Sequence, residues 1–221
     1  MPKSKRAQKV TLSQTKKKGR DRKESLMEEV RECCDKFSSV YAFEADNMRN
    51  SALKDVRAKL LGSRLFFGRT KLLTAALGRT PSEEYKDGLS EVASSLSGGE
   101  AGLLFTNESL EQVRSVLDET QVREFARAGR EATEDVDLDA GPLPSFAHNM
   151  EPYLRKLGLP TKLDMGVVTM LAPHAVCRAG QPLTSDQAKL LQLLGIKMAL
   201  FKLSLRCRWT SEGTFEEYPH A

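Results

Sequence analysis

The chain has 221 residues, 40% of them hydrophobic and 29% charged, with a net charge of +4. That length and balance allow a sizeable core in one or two domains and exclude a wholly disordered chain. No apolar run approaches the ~20 residues that span a bilayer, and the basic N-terminus lacks the apolar stretch of a secretory signal.

The charge is unevenly spread. Residues 1–25 carry ten Lys/Arg and two Asp/Glu, a local +8 that leaves −4 for the remainder. Residues 1–19 are therefore expected to be a basic arm, disordered until bound, with Lys3, Lys5 and Arg6 as candidate RNA contacts. Lys3-Ser4-Lys5-Arg6 and Lys16-Lys17-Lys18-Gly19-Arg20 resemble nuclear-entry patches. An arm lying along RNA phosphates has the same composition, and a solubilising tail is the plainer alternative.

The folded part begins with a helix predicted over Arg22–Phe37, with Leu26, Val30, Cys33 and Phe37 as its apolar stripe. A strand follows over Ser38–Ala45. The next stretch, Asn47–Leu77, reads as helix, short strand, glycine turn, helix. Leu53, Val56, Leu60 and Leu61 recur at helical spacing, with Asn50 or Ser51 as the expected cap. Leu65-Phe66-Phe67 is strand-like and Gly68 stops it. Arg69, Thr70 and Lys71 then open a helix, where free backbone N–H groups and the helix dipole suit a phosphate. The order strand–helix–strand–helix argues for an α/β layer.

Between Glu44 and Thr80 there are eight Lys/Arg against three Asp/Glu. Cations concentrated on a helix face and a strand-to-helix turn suit a nucleic-acid backbone. The alternative is a solvated basic face with no partner. The candidate phosphate contacts are Arg49, Lys54, Arg57, Arg64, Arg69 and Lys71. Asn47 and Asn50 can bond bases, sugars or phosphates, or simply cap the helix. Arg127 is a further candidate. Phe66 and Phe67 lie in an apolar strand, which disfavours a stacking platform for single strands and favours recognition of a folded RNA by shape.

Further along, Thr80-Pro81-Ser82-Glu83 has the form of a capping box, so a helix is expected to about Leu96. A buried strand is expected over Ala101–Thr106, then a helix capped by Asn107. After about Phe125 the texture changes to a basic junction, an acidic stretch from Glu131 to Asp139, and repeated prolines. A short helix near Glu151–Leu157 and strands at Gly166–Leu171 and Ala175–Cys177 read as a small β-rich module. Leu183–Leu194 returns to helix, capped by Thr184 or Ser185. Met198–Trp209 alternates as a strand with one wet face.

Nothing in the sequence assembles a catalytic or metal centre. Cys33, Cys34, Cys177 and Cys207 form no C-x-x-C pair and fit a reducing compartment as small core residues. His148, His174 and His220 are dispersed. Gly68-Arg69-Thr70-Lys71 lacks the glycine-rich pattern that wraps a nucleotide phosphate, so a phosphate-binding enzyme is a remote alternative and no cofactor is expected.

Several segments, taken in order, carry a resemblance: Asn47-Met48-Arg49-Asn50, Leu53-Lys54-Asp55-Val56-Arg57, and Phe66-Phe67-Gly68 with Lys71. It continues in Ala76-Leu77-Gly78-Arg79-Thr80-Pro81 with Glu84-Tyr85-Lys86-Asp87, in Gly102–Asn107, in Ala126-Arg127-Ala128-Gly129, and in Met150-Glu151-Pro152. Leu157–Thr161 and Gly166-Val167-Val168-Thr169 complete it. The chain thereby resembles the ribosome-assembly factors of the mRNA turnover protein 4 family, paralogues of the ribosomal stalk-base protein in the L10/P-zero family. The family's turn is Gly-Lys-Asn-Lys, whereas here Thr70 stands where the Asn would be.

The resemblance implies an α/β fold: a ribosomal L10-like RNA-binding α/β sandwich domain with a small β-rich insertion domain. The L10-like domain would comprise residues 20–126 and 183–221, with residues 127–182 inserted and the Met198–Trp209 strand joining the N-terminal sheet. It further implies a non-enzymatic factor that binds large-subunit rRNA at the stalk base in nuclear and nucleolar pre-60S particles. Such a factor would hold the site until exchange for the stalk-base protein, beside an L11-type ribosomal protein, with release through a phosphatase-like factor and possible shuttling to the cytoplasm. The alternative is the stalk-base protein itself. That protein needs further C-terminal helices, a hinge and an acidic tail, whereas this chain stops at Ala221.

Overall fold

The computed structural model describes residues 19–97 and 99–218; the arm with Lys3, Lys5 and Arg6 lies outside them. In chain order the first half forms α1 (Arg20–Lys36), β1 (Ser39–Asp46), α2 (Asn50–Lys59), β2 (Arg64–Phe67), α3 (Thr70–Leu77), α4 (Leu89–Ser95), β3 (Ala101–Thr106) and α5 (Leu110–Glu119). The second half forms β4 (Val122–Glu124), β5 (Val136–Leu138), β6 (Gly141–Pro142), α6 (Glu151–Lys156), β7 (Thr161–Asp164), β8 (Val167–Met170) and β9 (His174–Cys177). Helix α7 (Ser185–Leu193) and strands β10 (Ala199–Thr210) and β11 (Phe215–Glu217) complete it. These fall into two compact units: residues 19–43, 64–107 and 205–218 in the first, residues 44–63 and 108–204 in the second.

In the first unit the sheet order is β11-β10-β1-β3-β2. The last strand of the predicted series, β10, thus lies beside the first. Strand β3 is buried at every position, which is why Ala101–Thr106 reads as a continuous apolar run and not as an alternation. It pairs antiparallel with β2, Leu65 opposite Leu104 and Phe66 opposite Leu103. Gly102 is required there: a Cβ would sit 2.5 Å from the Phe66 carbonyl oxygen and 2.6 Å from the Phe43 ring. Helix α1 contributes Val30, Cys34 and Phe37 to the core, with Leu73, Leu77, Leu89, Val92, Phe105 and Trp209. Cys34 and not Cys33 is the fully buried cysteine of α1, because i→i+4 from Val30 lands on Cys34.

Two predicted elements of this unit differ. The helix expected from Thr80 to Leu96 is only Leu89–Ser95. The Thr80 hydroxyl bonds Ser82 Oγ at 3.0 Å, and the Tyr85 N–H returns to the Leu77 carbonyl at 2.8 Å. Gly78 packs so tightly on Glu84 that a Cβ would lie 2.3 Å from its Cα, and Gly88 adopts φ +86° against the Trp209 indole. The indole N–H donates to the Asp87 carbonyl at 2.9 Å. Tertiary contacts therefore override a good local helix start. Likewise Asn107 is no cap. Its carboxamide oxygen accepts from the Ser38 N–H and hydroxyl, while Ser109 and Gln112 form the capping box of α5.

In the second unit β4 pairs antiparallel with the start of β10, Val122 opposite Phe201. Strands β6-β8-β7 form a small antiparallel sheet and β5 pairs with β9. Leu154, Leu159, Val168, Val176, Leu190 and Leu191 form its core. Backbone bonds join residues 129–132 to 180–183: the N–H of Gly129 donates to Leu183, that of Leu183 to Arg130 and that of Ala132 to Gln181, all within 2.9 Å. Helix α7 begins at the predicted cap, Thr184 bonding reciprocally with Gln187.

Candidate nucleic-acid interface

The strand-to-helix turn of the first unit is built by Gly68 at φ +145°, a conformation that favours glycine. Arg69 follows at the N-cap position with no side-chain cap, and no acidic residue occupies the first turn of α3. Arg69 and Lys71 are exposed, and among the described residues neither has a carboxylate within ion-pair distance. Two exposed cations thus flank a helix start whose first N–H groups carry partial positive charge, an arrangement that favours an anion. Thr70 keeps its backbone carbonyl engaged with the Thr74 hydroxyl at 2.9 Å. Arg64 is used differently. Its guanidinium lies 3.4 Å from the Glu29 carboxylate and 5.5 Å from the centre of the Phe66 ring, so it braces β2 against α1.

In the second unit, α2 buries Ala52, Leu53 and Val56 and exposes Asn50, Ser51, Lys54 and Arg57. Neither Asn50 nor Ser51 caps it; Arg49 occupies the N-cap position with extended backbone and no side-chain cap. Lys54 has no ion pair among the described residues, whereas Lys59 reaches Glu119 at 3.0 Å. Asn47 adopts φ +50°, where Asn is among the better non-glycine residues, and its Nδ2 donates to the Leu200 carbonyl at 2.9 Å. Arg49 donates from Nη2 to the Phe125 carbonyl. These two side chains fasten the turn before α2 to the backbone around residues 125 and 200. Arg127 is exposed and lines a cleft of about 400 Å³ with Arg49, Phe125 and Lys189.

Sequence reasoning finds the exposed cations and misses Phe125 and Lys189. Phe125 stands at the change of texture, and Lys189 bonds Gln192 at 2.9 Å, a three-residue helical spacing visible in the sequence.

Cys34, Cys177 and Cys207 are buried in the cores, and Cys33 packs half-buried against the first of them. Burial raises the pKa of all four, that of Cys34 to about 12, which removes the thiolate that a nucleophile needs. Among the described residues no three His, Cys, Asp or Glu side chains gather as metal ligands, and no helix is long and apolar enough to cross a membrane.

Residues 18–122 match the family model of ribosomal protein L10. Residues 126–196 match that of the insertion domain in the 60S ribosomal protein L10-P. The class is therefore an L10-type α/β domain carrying that insertion. The chain is 40% identical to the ribosome assembly factor mrt4 of Schizosaccharomyces pombe, over 99% of this chain and 95% of that protein. It is 34% identical to MRT4 of Saccharomyces cerevisiae, over 98% and 97%. To the large ribosomal subunit protein uL10 of the same yeast it is 28% identical, over 84% of this chain and 59% of that one. This chain belongs to the Mrt4 family of ribosome assembly factors, a family related to ribosomal uL10 and not one of enzymes.

Proposed function

We propose that the protein binds large-subunit rRNA at the stalk base of nuclear precursor particles and holds that site until the ribosomal stalk-base protein takes it. The observation that carries this reading is the pair of exposed cations Arg69 and Lys71 at the start of α3, without an ion-pair partner among the described residues, in a chain of the L10 family. Lys54, Arg57, Thr70 and Arg127 add exposed or half-exposed donors, Asn50 stands at the open start of α2, and Lys3, Lys5 and Arg6 belong to the basic arm. In this reading Asn47, Arg49 and Arg64 hold the turns that present these donors.

The relation to uL10 gives the exchange its physical logic, since two proteins with one RNA-binding surface cannot occupy one site together. An L11-type ribosomal protein is the expected neighbour on the RNA, and a phosphatase-like factor the expected agent of release.

The test is the double charge reversal Arg57→Glu with Lys71→Glu. Affinity for a stalk-base rRNA fragment should fall at least tenfold, and the log–log salt slope should flatten by about 0.7–0.9 for each phosphate no longer neutralised. The variant should remain folded, with a cooperative thermal transition. Affinity and slope equal to wild type would remove these cations from the RNA.

A further inference from the structure

The second unit holds a cleft of about 400 Å³, of whose lining the reading above uses Arg127 as an RNA donor. Its walls combine three kinds of group. Arg49, Arg127 and Lys189 bring three cations against one carboxylate, Glu124. Phe125 brings a half-buried aromatic ring, with the Lys197 ammonium 5.5 Å from its centre. Ala126, Ala128 and Ala188 are small, so the walls stay apart. The Arg49 guanidinium is locked by its Nη2 bond to the Phe125 carbonyl. Its Nε is nonetheless buried and lacks a hydrogen-bond partner.

We infer that this cleft receives one unstacked nucleotide of the bound RNA, its base against Phe125 and the Arg49 guanidinium and its phosphate between Arg127 and Lys189. The inference rests on the RNA-binding reading above and adds a subsite to it. Size argues for a single nucleotide, since the volume is near the lower end of the range for small-molecule pockets, about 300–1,000 Å³. A paired base inside a helix cannot enter such a space. An unpaired base turned out of its stack can, and proteins read such bases by aromatic or guanidinium stacking and by bonds to the base edge. The positive lining suits the phosphate that accompanies the base.

The test fills the cleft without touching its charge. Ala188→Trp should lower affinity for a stalk-base rRNA fragment about tenfold, the order of one base stack removed, and flatten the salt slope by about 0.7, for the one phosphate held between Arg127 and Lys189. Ala128→Trp, on an exposed loop, fills the same space from another wall and serves if Ala188→Trp fails to fold. With 4-thiouridine at the unpaired positions of that fragment, crosslinks should fall on the peptides spanning residues 124–128 or 185–192. Folded cleft variants that bind like wild type, while Arg57→Glu with Lys71→Glu binds weakly, would overturn the subsite and leave the RNA-binding reading standing. If the charge reversal is also silent, both fall. Uridine or adenosine monophosphate binding the wild-type chain, with no loss of RNA affinity in the variants, would make this a free-nucleotide site and overturn the RNA assignment.

Discussion

Two sets of basic residues within the same stretch of chain are put to opposite uses. Arg69 and Lys71 stand exposed at the start of α3 without a carboxylate partner among the described residues. Arg49 has the same charge but is committed internally to the Phe125 carbonyl, while Arg64 is paired at the surface with Glu29 and lies near the Phe66 ring. Lys86 belongs with the committed set, bonding the Cys34 carbonyl and the Asp35 carboxylate, each at 2.8 Å. The difference lies in what the backbone brings within reach. A cation beside an unfilled carbonyl contributes to folding whether or not a ligand also meets it, and one beside only solvent keeps its charge for a partner.

The comparison can be broken most directly at Arg49. Arg49→Ala removes a charge-assisted bond and strands the Phe125 carbonyl, so stability should fall by about 1.5–3 kcal/mol in denaturant unfolding. Lys71→Ala should stay within about 0.5 kcal/mol of wild type in the same assay, as surface changes do. Equal losses in the two variants would erase the distinction. Asn47 sharpens it on a smaller scale. Asn47→Ala loses the bond to Leu200 and leaves a β-carbon residue at φ +50°, which should cost about 1–2 kcal/mol. Asn47→Gly loses the same bond but relieves the strain, and should cost less than the alanine variant.

The smallest effect concerns Asp35. The hydrogen bond from Lys86, and then that from Tyr85, hold its carboxyl below the usual carboxylate range. A carboxyl with a lowered folded pKa contributes fully above its unfolded value and loses the contribution as pH falls through the folded one. Wild type and Asp35→Asn should therefore differ slightly in melting temperature at about pH 6 and converge below about pH 4. A gap that does not shrink at all as pH falls below the unfolded value would show that the charge is not the cause.

Much of the architecture is legible before any coordinates. The periodicity of α1, α2 and α5, the apolar run of β3 and the reciprocal cap at Thr184 all depend on neighbours in sequence, so local rules suffice. The segment from Thr80 to Gly88 is not legible. Its sequence is a good helix start, and it fails to become one because Gly78 packs on Glu84 and the Trp209 indole bonds the Asp87 carbonyl across more than a hundred residues. Asn107 misleads for a similar reason, its carboxamide being drawn to Ser38. In the candidate interface, exposure of Lys54 and Lys71 follows from helical faces visible in the sequence. The commitment of Arg49, Asn47 and Arg64 does not, since each partner comes from a distant segment.

By itself, then, the sequence determined the order of most helices and of the longer strands, the uneven charge and the family to which the chain belongs, because those reside in composition, periodicity and ordered motifs. Only the tertiary structure decided which cations remain available to a ligand. That choice depends on which carbonyls, carboxylates and rings folding brings beside each side chain, and such neighbours have no fixed spacing along the chain.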